Sequence, residues 1–343
     1  MSSRFQRPIR FGIIGCGVIA KLHAEAIARC PEAELIAVSD VIAERAQTFA
    51  QTHGVGIALA DNRALLAMPE VDVVNVCVPS GLHATVTIEA VQAGKHVLCE
   101  KPLDIRKDRM AAMIQAAKVG GVQLGAVYQR RMAPMVTQVK VALDQGQLGT
   151  LVLADAMLKY HRSTAYYESG DWRGTWEWDG GGALMNQGVH GVDLLQWLVG
   201  DIVTVSARTK TLTHDIPVED TAVATVEFAH GALGVIAGAT SVYPELPTRL
   251  SIHGDEGSLV FGDHGVEHWT MERRNLTEEM AKTPVFDFAH AHQPFIDNMV
   301  AVARGEGSVL VSGESARQAV DVILAIYESA RTGQPVTVTH GED

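Results

Sequence analysis

The stretch that decides the fold is IRFGIIGCGVIAKLHAEAIARCPEAELIAVSD, residues 9–40. It opens with a short apolar run, residues 9–15, that is typical of a buried β-strand, and residues 18–30 then repeat apolar side chains with a helical period. A second apolar run, residues 35–40, follows that helix. The stretch therefore predicts a strand–turn–helix–strand unit of the kind that begins a parallel α/β sheet.

The turn between the first strand and helix, GCGVIA at 15–20, has the features that a dinucleotide pyrophosphate requires. Gly15 permits the tight turn, Gly17 lets a phosphate approach the backbone, and the small Ala20 lets helix and strand pack closely. The phosphates then face the positive end of the helix. Gly15, Gly17, Val18 and Ile19 are therefore predicted to contact a bound cofactor. The hexapeptide alone is a weak signal, and a purely structural turn is the alternative interpretation.

The acidic residue at the end of the second strand predicts which cofactor binds. A carboxylate at Asp40 accepts hydrogen bonds from the ribose hydroxyls of NAD and repels the 2′-phosphate of NADP. No basic residue follows at once, since the next residues are Val41, Ile42 and Ala43. Asp40 is therefore predicted to bind NAD. NADP is the less favoured cofactor, and it stays open because Arg45 lies one turn into the next helix.

Strand and helix patterns alternate as far as residue 128, which predicts a doubly wound parallel sheet. Beyond residue 150 the β runs are joined by short turns, as at His230-Gly231, which predicts a large open sheet, mostly antiparallel, with helices on one face. The fold class is therefore α/β. The two predicted domains are an NAD-binding Rossmann domain at residues 1–128 and an α+β domain for substrate binding and oligomerisation at residues 129–343.

Composition argues against several classes of partner. The 343 residues include 28 Lys and Arg against 40 Asp and Glu, and this net charge of −12 argues against binding to nucleic acid. No run of about 18 apolar residues is present, so no membrane span is expected. The first ten residues, MSSRFQRPIR, lead directly into a strand and are not expected to be a secretory signal. The four cysteines lie in apolar stretches, which predicts reduced thiols in a cytoplasmic protein.

Three segments follow strands at the carboxyl edge of the parallel sheet, where doubly wound folds bind their ligands. They are PSGLH at 79–83, EKP at 100–102 and YQRR at 128–131. Lys101 precedes a proline that restricts its backbone, and a lysine there can exchange a proton with a reacting hydroxyl or hold it by a charged hydrogen bond. Lys101 is therefore predicted to be catalytic, with a surface lysine as the alternative. The cofactor contacts predicted from these segments are Pro79, His83, Glu100 and Lys101.

An apolar helical pattern at residues 180–200 carries polar side chains at Asn186, His190 and Asp193. At 3.6 residues per turn, spacings of four and three place them on one stripe. Because burying an unpaired polar group costs roughly 1–3 kcal/mol, the stripe is either a satisfied core network or the wall of a cavity. The three glycines before it favour the cavity. His190 titrates near neutrality and is predicted to take the hydroxyl proton, with Asn186 as a catalytic partner.

Aromatic and basic residues are concentrated in the segment that leads into this helix. Aromatic faces stack on sugar rings, and arginines bind carboxylates or phosphates through paired hydrogen bonds. Neighbouring acidic residues can instead pair with these arginines, so an acidic substrate is only one of the possibilities. His290 and His292 lack partners at metal-ligand spacing, and no metal is predicted. The predicted substrate contacts are Lys101, Arg131, Tyr160, Arg162, Trp172, Arg173, Asn186 and His190.

Four motifs in this order resemble the Gfo/Idh/MocA oxidoreductases, which include glucose–fructose oxidoreductase and inositol dehydrogenase. They are the G-x-G-x-x-A turn, Pro79 with His83, Glu-Lys-Pro at 100–102, and GGGALMNQGVHGVD at 180–193. The resemblance covers nearly the whole chain. It implies a Rossmann domain followed by an open-sheet domain, catalytic roles for Lys101 and His190, and a Lys-Pro bond that is often cis. It also implies that Trp172 and Arg173 lie near the nicotinamide and the substrate.

One position departs from many members of that family, which have aspartate where this chain has Asn186. A carboxylate there would raise the basicity of His190 by roughly 1–3 pK units, whereas asparagine only orients the ring. Some members, including ones that act on nucleotide-linked N-acetyl sugar acids, also have asparagine. Asp193 is then either a substitute for the missing charge or a structural hydrogen-bond acceptor.

These residues and the resemblance predict an NAD-dependent dehydrogenase that oxidises a ring hydroxyl of a sugar or cyclitol to a ketone. A narrower alternative is oxidation of a sugar nucleotide, a UDP-N-acetyl sugar acid, at its 3-hydroxyl. Two further alternatives are redox-neutral, NAD-dependent glycoside hydrolysis and a regulatory protein that senses NAD without turnover. The apolar β run at 220–242 predicts a homo-oligomer, a dimer or a tetramer.

Overall fold

The computed structural model describes residues 7–272 and 274–341. Their contacts define two compact units, one from the residues up to Gln129 with Phe288–Ala316, the other from Arg130–Asp287 with the residues from Arg317 onward. The first break therefore lies one residue from the predicted boundary at 128/129. The predicted second domain is wrong in one respect, because the segment 288–316 belongs to the first unit. Residues 1–6, which carry part of the expectation about a secretory signal, lie outside the described residues.

The first unit is built on six parallel strands. They are β1 (Ile9–Ile14), β2 (Ala33–Ser39), β3 (Ile57–Leu59), β4 (Val73–Val76), β5 (His96–Cys99) and β6 (Leu124–Ala126). Their order in the sheet is β3-β2-β1-β4-β5-β6, so the direction of winding reverses between β1 and β4. Ligands of doubly wound sheets bind at the carboxyl ends of the strands beside that reversal. The predicted Rossmann sheet is confirmed.

Helices connect these strands, and most lie where the sequence periodicity predicts them. They are α1 (Ala20–Arg29), α2 (Ala43–His53), α3 (Asn62–Leu66), α4 (His83–Gln92) and α5 (Lys107–Gly120). α2 and α5 end at Gly54 and Gly121, whose φ angles of 68° and 64° are in the left-handed region that favours glycine. All four residues of β4 are buried, because helices cover both faces of this sheet.

The second unit is built on a nine-stranded sheet with helices. Its elements are α6 (Pro134–Asp144), β7 (Leu151–Lys159), α7 (Thr164–Glu168), α8 (Val189–Val199), β8 (Ile202–Lys210), β9 (Thr221–Phe228), β10 (Leu233–Ala239), β11 (Arg249–Gly254), β12 (Gly257–Gly262), β13 (Gly265–Met271), β14 (Arg274–Asn275), α9 (Thr277–Met280) and β15 (Val336–Thr337). The strand order is β14-β13-β12-β11-β7-β10-β9-β8-β15, and only β7 and β10 pair in parallel among the described residues. The sheet is thus mostly antiparallel, as predicted.

One face of this second sheet is buried under helices. In β9 the residues alternate strictly between buried and solvent-facing, as expected for a strand with one covered face. On the covered face α8 packs closely against β7, since a Cβ placed on Gly191 would lie 2.2 Å from the Leu158 side chain. Gly191 therefore sets the distance between helix and sheet at the level of His190.

The glycine-rich helix differs from its prediction. Ala183–Gly188 forms a π-helix, and only Val189–Val199 is α-helical. A π-helix closes its hydrogen bonds over five residues rather than four, so a period of 3.6 does not apply between Asn186 and His190. Asn186 therefore lies in the π-helix, one turn before the α-helix that carries His190. His190 and Asp193 both lie in α8 and keep the predicted spacing.

The segment 288–316 returns to the first unit after the second sheet is complete. It contains α10 (Gln293–Ala303), which packs against α1 and β5. Beyond it, Val311 accepts a hydrogen bond of 2.9 Å from the backbone N–H of Ala126 in β6. α11 (Gly313–Thr332) follows and continues into the second unit. Over the described parts of the chain, no helix combines the length and the hydropathy needed to cross a membrane.

Candidate active site

The two glycines of the turn after β1 have different surroundings. Gly15 has φ 92°, and a Cβ there would lie 2.6 Å from the Cys77 carbonyl oxygen, so the fold itself requires glycine. At Gly17 a Cβ would have no atom of the described residues within 4 Å. Gly17 thus lines an open cradle at the start of α1, where backbone N–H groups can bind an anion.

Asp40 fixes this turn from the end of β2. Its Oδ2 accepts a hydrogen bond of 3.0 Å from the Cys16 N–H, and its Oδ1 accepts one of 2.9 Å from the Ile42 N–H. Arg45 approaches the same carboxylate at 3.5 Å. Val18 and Val41, which flank the cradle, are 87% and 83% exposed. The structure therefore brings the predicted cofactor residues of β1 and β2 together, and the open cradle with apolar walls fits a dinucleotide.

The predicted cofactor residue His83 is buried and holds two loops together. Its Nδ1 lies 2.7 Å from the Pro102 carbonyl oxygen and its Nε2 lies 3.0 Å from the Val78 carbonyl oxygen. Both ring nitrogens are thus within hydrogen-bond distance of backbone acceptors. The geometry gives His83 a supporting role between the segment after β4, where Pro79 lies, and the Glu-Lys-Pro segment.

The Glu-Lys-Pro segment follows β5 and combines a buried carboxylate with a half-buried lysine. The peptide bond between Lys101 and Pro102 is cis, as the resemblance implies. Glu100 accepts hydrogen bonds from His23 and His292, at 2.9 and 3.0 Å. Burial alone would raise the pKa of Glu100, but these two hydrogen bonds outweigh burial and hold the pKa well below its ordinary value.

In the second unit, a hydrogen-bonded network joins the two arginines that were predicted as substrate contacts. Arg162 donates from Nη2 to the Gln187 Oε1 at 2.7 Å, and Gln187 donates to the Tyr166 hydroxyl at 2.8 Å. Arg173 donates to the same hydroxyl at 2.6 Å, and its guanidinium lies 4.4 Å from the Tyr166 ring centroid and 4.6 Å from that of Trp172. Arg162, Trp172 and Arg173 thus form one basic and aromatic surface, in which Glu245 pairs with Arg162 at 2.7 Å.

Asn186 joins this surface to a buried acid. Its Nδ2 donates to the Asp179 Oδ1 at 2.7 Å, and the Asp179 Oδ2 accepts a hydrogen bond of 2.8 Å from the Gly174 N–H. The amide of Asn186 is therefore oriented by a carboxylate from the preceding loop. His190 lies on the next turn, in the first residues of α8, and only 9% of it is exposed.

Glu219 holds the glycine segment that precedes Asn186. Its two carboxylate oxygens accept hydrogen bonds of 2.9 Å from the N–H groups of Gly182 and Leu184, and Tyr327 donates its hydroxyl to Oε1 at 2.7 Å. Burial raises the pKa of Glu219 to about 6, against these hydrogen bonds. A Cβ on Gly182 would lie 1.8 Å from the Glu219 carbonyl oxygen, so the close approach of these two backbone segments requires glycine there.

Two further predicted substrate residues, Arg131 and Tyr160, are buried and have polar partners of their own, and the Tyr160 ring also lies 5.7 Å from the Arg162 guanidinium. Arg131 forms paired hydrogen bonds with Asp193, at 2.8 and 2.6 Å, and stacks on Trp197 at 5.2 Å. Asp193 therefore has a charged partner in the core, which favours its structural role over its role as a substitute charge for His190. Tyr160 is 5% exposed, and its hydroxyl is 2.9 Å from the Thr248 hydroxyl.

Several residues of these networks were not predicted from the sequence. Gln187 follows Asn186 directly, and Asp179 stands just before the glycine triplet, but no spacing rule selects either of them. His23 lies on the buried face of α1, and His292 is far from Glu100 in the sequence. Only the fold brings these two histidines to one carboxylate.

A parallel sheet of this order with a glycine cradle defines a dinucleotide-binding unit. Two family models agree with this architecture. Residues 9–128 match the oxidoreductase family with an NAD-binding Rossmann fold, and residues 136–260 match the GFO/IDH/MocA C-terminal domain. The chain belongs to the GFO/IDH/MocA family of oxidoreductases.

Individual members of the family provide closer comparisons. A crystal structure of the WlbA dehydrogenase from Bordetella pertussis, in complex with NADH and UDP-GlcNAcA, is 34% identical, with a TM-score of 0.93 over 97% of this chain and 99% of that one. The 1,5-anhydro-D-fructose reductase of Ensifer adhaerens is 28% identical over 97% of this chain and 99% of its own. The myo-inositol 2-dehydrogenase of Thermotoga maritima is 28% identical over 75% of each chain.

Proposed function

We propose that this protein is an NAD-dependent dehydrogenase that oxidises the 3-hydroxyl of a UDP-linked N-acetyl sugar acid. The observation that carries the proposal is the likeness, along nearly the full length, to a dehydrogenase that was crystallised with NADH and UDP-GlcNAcA. Asn186 adds support, because asparagine in place of the commoner aspartate occurs in members that act on such sugars. The Arg173 guanidinium, held by the Tyr166 hydroxyl, suits a substrate with negative charge, whereas Arg162 is already paired with Glu245 at 2.7 Å.

Lys101 and His190 carry the proton chemistry in this proposal. Bound NAD accepts a hydride when an alcohol is oxidised to a ketone. The Lys101 ammonium holds the reacting hydroxyl by a charged hydrogen bond, and the neutral imidazole of His190 takes the hydroxyl proton. In this proposal Asn186, which Asp179 holds in place, orients the His190 ring and adds no charge of its own.

The arginines and aromatic rings of the second unit provide substrate binding in this proposal. Arg173 and Arg162 are held in place by Tyr166 and Gln187. A guanidinium that is already oriented loses less entropy when it binds a carboxylate or phosphate. Trp172, which stacks on Arg173, offers an apolar face to a sugar ring. Arg131 and Tyr160 are assigned to the core instead, because both are buried with polar partners.

NAD is the proposed cofactor rather than NADP. The Asp40 carboxylate lies at the end of β2 and is partly neutralised by Arg45 at 3.5 Å. Its backbone hydrogen bonds keep the carboxylate facing the glycine turn, where it can accept hydrogen bonds from ribose hydroxyls. Arg45 is exposed and reaches this site, so Asp40→Ala is expected to improve the use of NADP relative to NAD.

A second candidate substrate class is a free sugar or cyclitol, favoured by the 1,5-anhydro-D-fructose reductase and myo-inositol 2-dehydrogenase relatives. A substrate panel with NAD separates the two classes by absorbance of NADH. UDP-GlcNAcA is expected to give the highest kcat/KM. UDP-GlcNAc, which lacks the carboxylate, is the matched control, and myo-inositol and an anhydrosugar represent the second class. Higher kcat/KM with a free polyol would overturn the sugar-nucleotide proposal.

The Lys101→Ala variant tests the catalytic assignment. It is expected to lose nearly all turnover while it still binds NADH, because the lysine acts on the hydroxyl and the glycine turn binds the dinucleotide. Lys118→Ala is the matched control, since Lys118 is an exposed lysine of the same unit. Wild-type rates in Lys101→Ala would show that the lysine is not catalytic. NADH binding without turnover of any substrate in the wild-type protein would favour the regulatory alternative, and product release without net NADH would favour the hydrolase.

A further inference from the structure

Three side chains from distant parts of the first unit meet directly behind the Glu-Lys-Pro segment. His23 of α1 and His292, which precedes α10, both place Nε2 beside the Glu100 Oε1, at 2.9 and 3.0 Å. The two imidazole rings touch edge to face, with centroids 4.8 Å apart. All three side chains are buried, so they do not contact solvent directly. We call His23, Glu100 and His292 the buried triad.

The hydrogen-bond partners of the triad settle where its protons lie. Asn75 in β4 donates from Nδ2 to the Nδ1 of His23 at 2.9 Å, so the proton of that ring is on Nε2 and points at Glu100. His292 also needs its proton on Nε2 to donate to the carboxylate. Burial lowers the pKa of His23, which keeps the ring neutral, and the two donated hydrogen bonds stabilise the ionised form of Glu100.

The other oxygen of Glu100 is bonded to the backbone of the proposed catalytic residue. The N–H of Lys101 donates to the Glu100 Oε2 at 3.1 Å. On the far side of Lys101, the Pro102 carbonyl oxygen is 2.7 Å from the Nδ1 of His83. The main chain is therefore held on both sides of Lys101, by the triad before it and by His83 after it.

We propose that His23 and His292 are positioning residues, which act through Glu100 to fix the backbone that presents Lys101. This inference rests on the catalytic role given to Lys101 under the proposed function. The physical reason is that misplacing a catalytic group by about 1 Å can cost about 100-fold in rate. Two N–H donors let the ionised Glu100 stay buried, and the charged carboxylate then binds the Lys101 N–H more tightly than a neutral acceptor would.

The same three side chains also have the chemistry of a metal site, because their ligand atoms lie within 4.8 Å of one another. A metal-bound imidazole must present a deprotonated nitrogen to the ion. In the triad both Nε2 atoms instead need a proton to bond the same carboxylate oxygen. The hydrogen bonds are therefore consistent with a metal-free network, and metal analysis of the purified protein is part of the test.

The test uses His292, because a matched pair of substitutions separates its N–H from its bulk. The Gln amide of His292→Gln can place a donor where Nε2 lies, whereas His292→Leu has similar size and no donor. His292→Leu is expected to lower kcat by up to about 100-fold with unchanged KM and unchanged Kd for NADH. His292→Gln is expected to recover most of kcat. The control is His290→Leu, because His290 is an exposed histidine of the same segment. This variant should keep the wild-type kcat, KM and Kd for NADH.

Two measurements that need no turnover keep this inference separate from the proposed function. ¹⁵N-histidine NMR of the intact protein should show a proton on Nε2 of both His23 and His292, and the signal of His23 should shift in Glu100→Gln. The melting temperature shows whether each variant folds. A folded His292→Leu with wild-type kcat would overturn the inference, as would equal losses in His292→Leu and His292→Gln or about one zinc ion bound per chain. If the wild-type protein turns over none of the panel substrates, the proposed function fails, while the NMR result still decides the structure of the triad.

Discussion

At the scale of single residues, Glu219 is a carboxylate whose burial disfavours its ionised form. It is buried beneath the glycine segment and receives hydrogen bonds from two backbone N–H groups and from Tyr327. Burial nevertheless raises its pKa to about 6, from an ordinary value of 4.5. A carboxyl group with a raised pKa in the folded state stabilises the protein below its unfolded pKa. That stabilisation is lost as the pH rises through the folded value.

The pH dependence of stability in Glu219→Gln tests this shift. The rise from 4.5 to about 6 corresponds to ~2 kcal/mol. The free energy of unfolding of the wild-type protein, minus that of Glu219→Gln, should therefore fall by ~1.5 kcal/mol between pH 4.5 and pH 6.5. Urea unfolding followed by tryptophan fluorescence measures both proteins across this range. A difference that does not vary with pH would show that the pKa of Glu219 is not raised.

At the scale of elements, the turn between β1 and α1 separates a glycine needed for folding from one needed for binding. Gly15 has a positive φ and lies against the Cys77 carbonyl, whereas Gly17 faces the open cradle. Both are glycine in the same hexapeptide, and the sequence assigns them to one site. In the structure, a side chain at Gly15 would disturb the fold, whereas a side chain at Gly17 would occupy the cradle.

Alanine at each of these glycines tests that distinction. Gly15→Ala should lower the stability of the cofactor-free protein by roughly 1–3 kcal/mol, because its Cβ meets a carbonyl and its φ is strained. Gly17→Ala should leave that stability unchanged and weaken NADH binding, because its Cβ fills the cradle. Thermal melting without cofactor and NADH titration by fluorescence measure the two properties. Equal losses of stability in both variants would contradict this assignment.

The same scale explains why one helix prediction was wrong. The apolar run at 180–200 has the composition of a single α-helix, and its residues give no sign of where hydrogen bonding changes from four to five residues. In the structure, Glu219 bonds the N–H groups of Gly182 and Leu184 at the start of the π-helix. A carboxylate from another part of the chain thus holds the start of the π-helix that contains Asn186.

At the scale of the whole molecule, the chain leaves its first unit at residue 129 and returns to it at residue 288. Arg304 and Glu32 form an ion pair within this unit, and Val311 bonds β6. The returning segment also brings His292 to Glu100. α10 is therefore part of the cofactor-binding unit in packing, although it follows the whole second sheet in sequence.

Hydrogen exchange can test that membership. Binding of NADH stabilises the unit that binds it, so backbone amides that open with that unit should exchange more slowly. Amides of α10, Gln293–Ala303, are expected to slow in step with those of β1 and β4. Amides of β9 and β10 in the second unit serve as the reference. The predicted grouping fails if α10 follows the reference strands instead of the first sheet.

Local patterns predicted the glycine turn and every strand of the first sheet except β3, because period, apolar runs and turn residues are all short-range properties. They also predicted Asp40, Lys101 and His190, since each stands beside a recognisable local signal such as a strand end, a proline or a glycine run. What they could not predict is which distant side chains the residues around the site would meet. Asp179 with Asn186, Arg131 with Asp193, and Glu219 with Gly182 are pairs that no local spacing rule selects.

The sequence by itself therefore determined the fold class, the family and the residue types available for chemistry. The tertiary structure alone decided that Arg131 and Tyr160 are core residues, that residues 288–316 complete the first unit, and that Glu100 is held by His23 and His292. The physical reason is range. A strand or helix depends on neighbours a few residues away, whereas a buried charge depends on whichever distant groups the finished fold brings within hydrogen-bond distance.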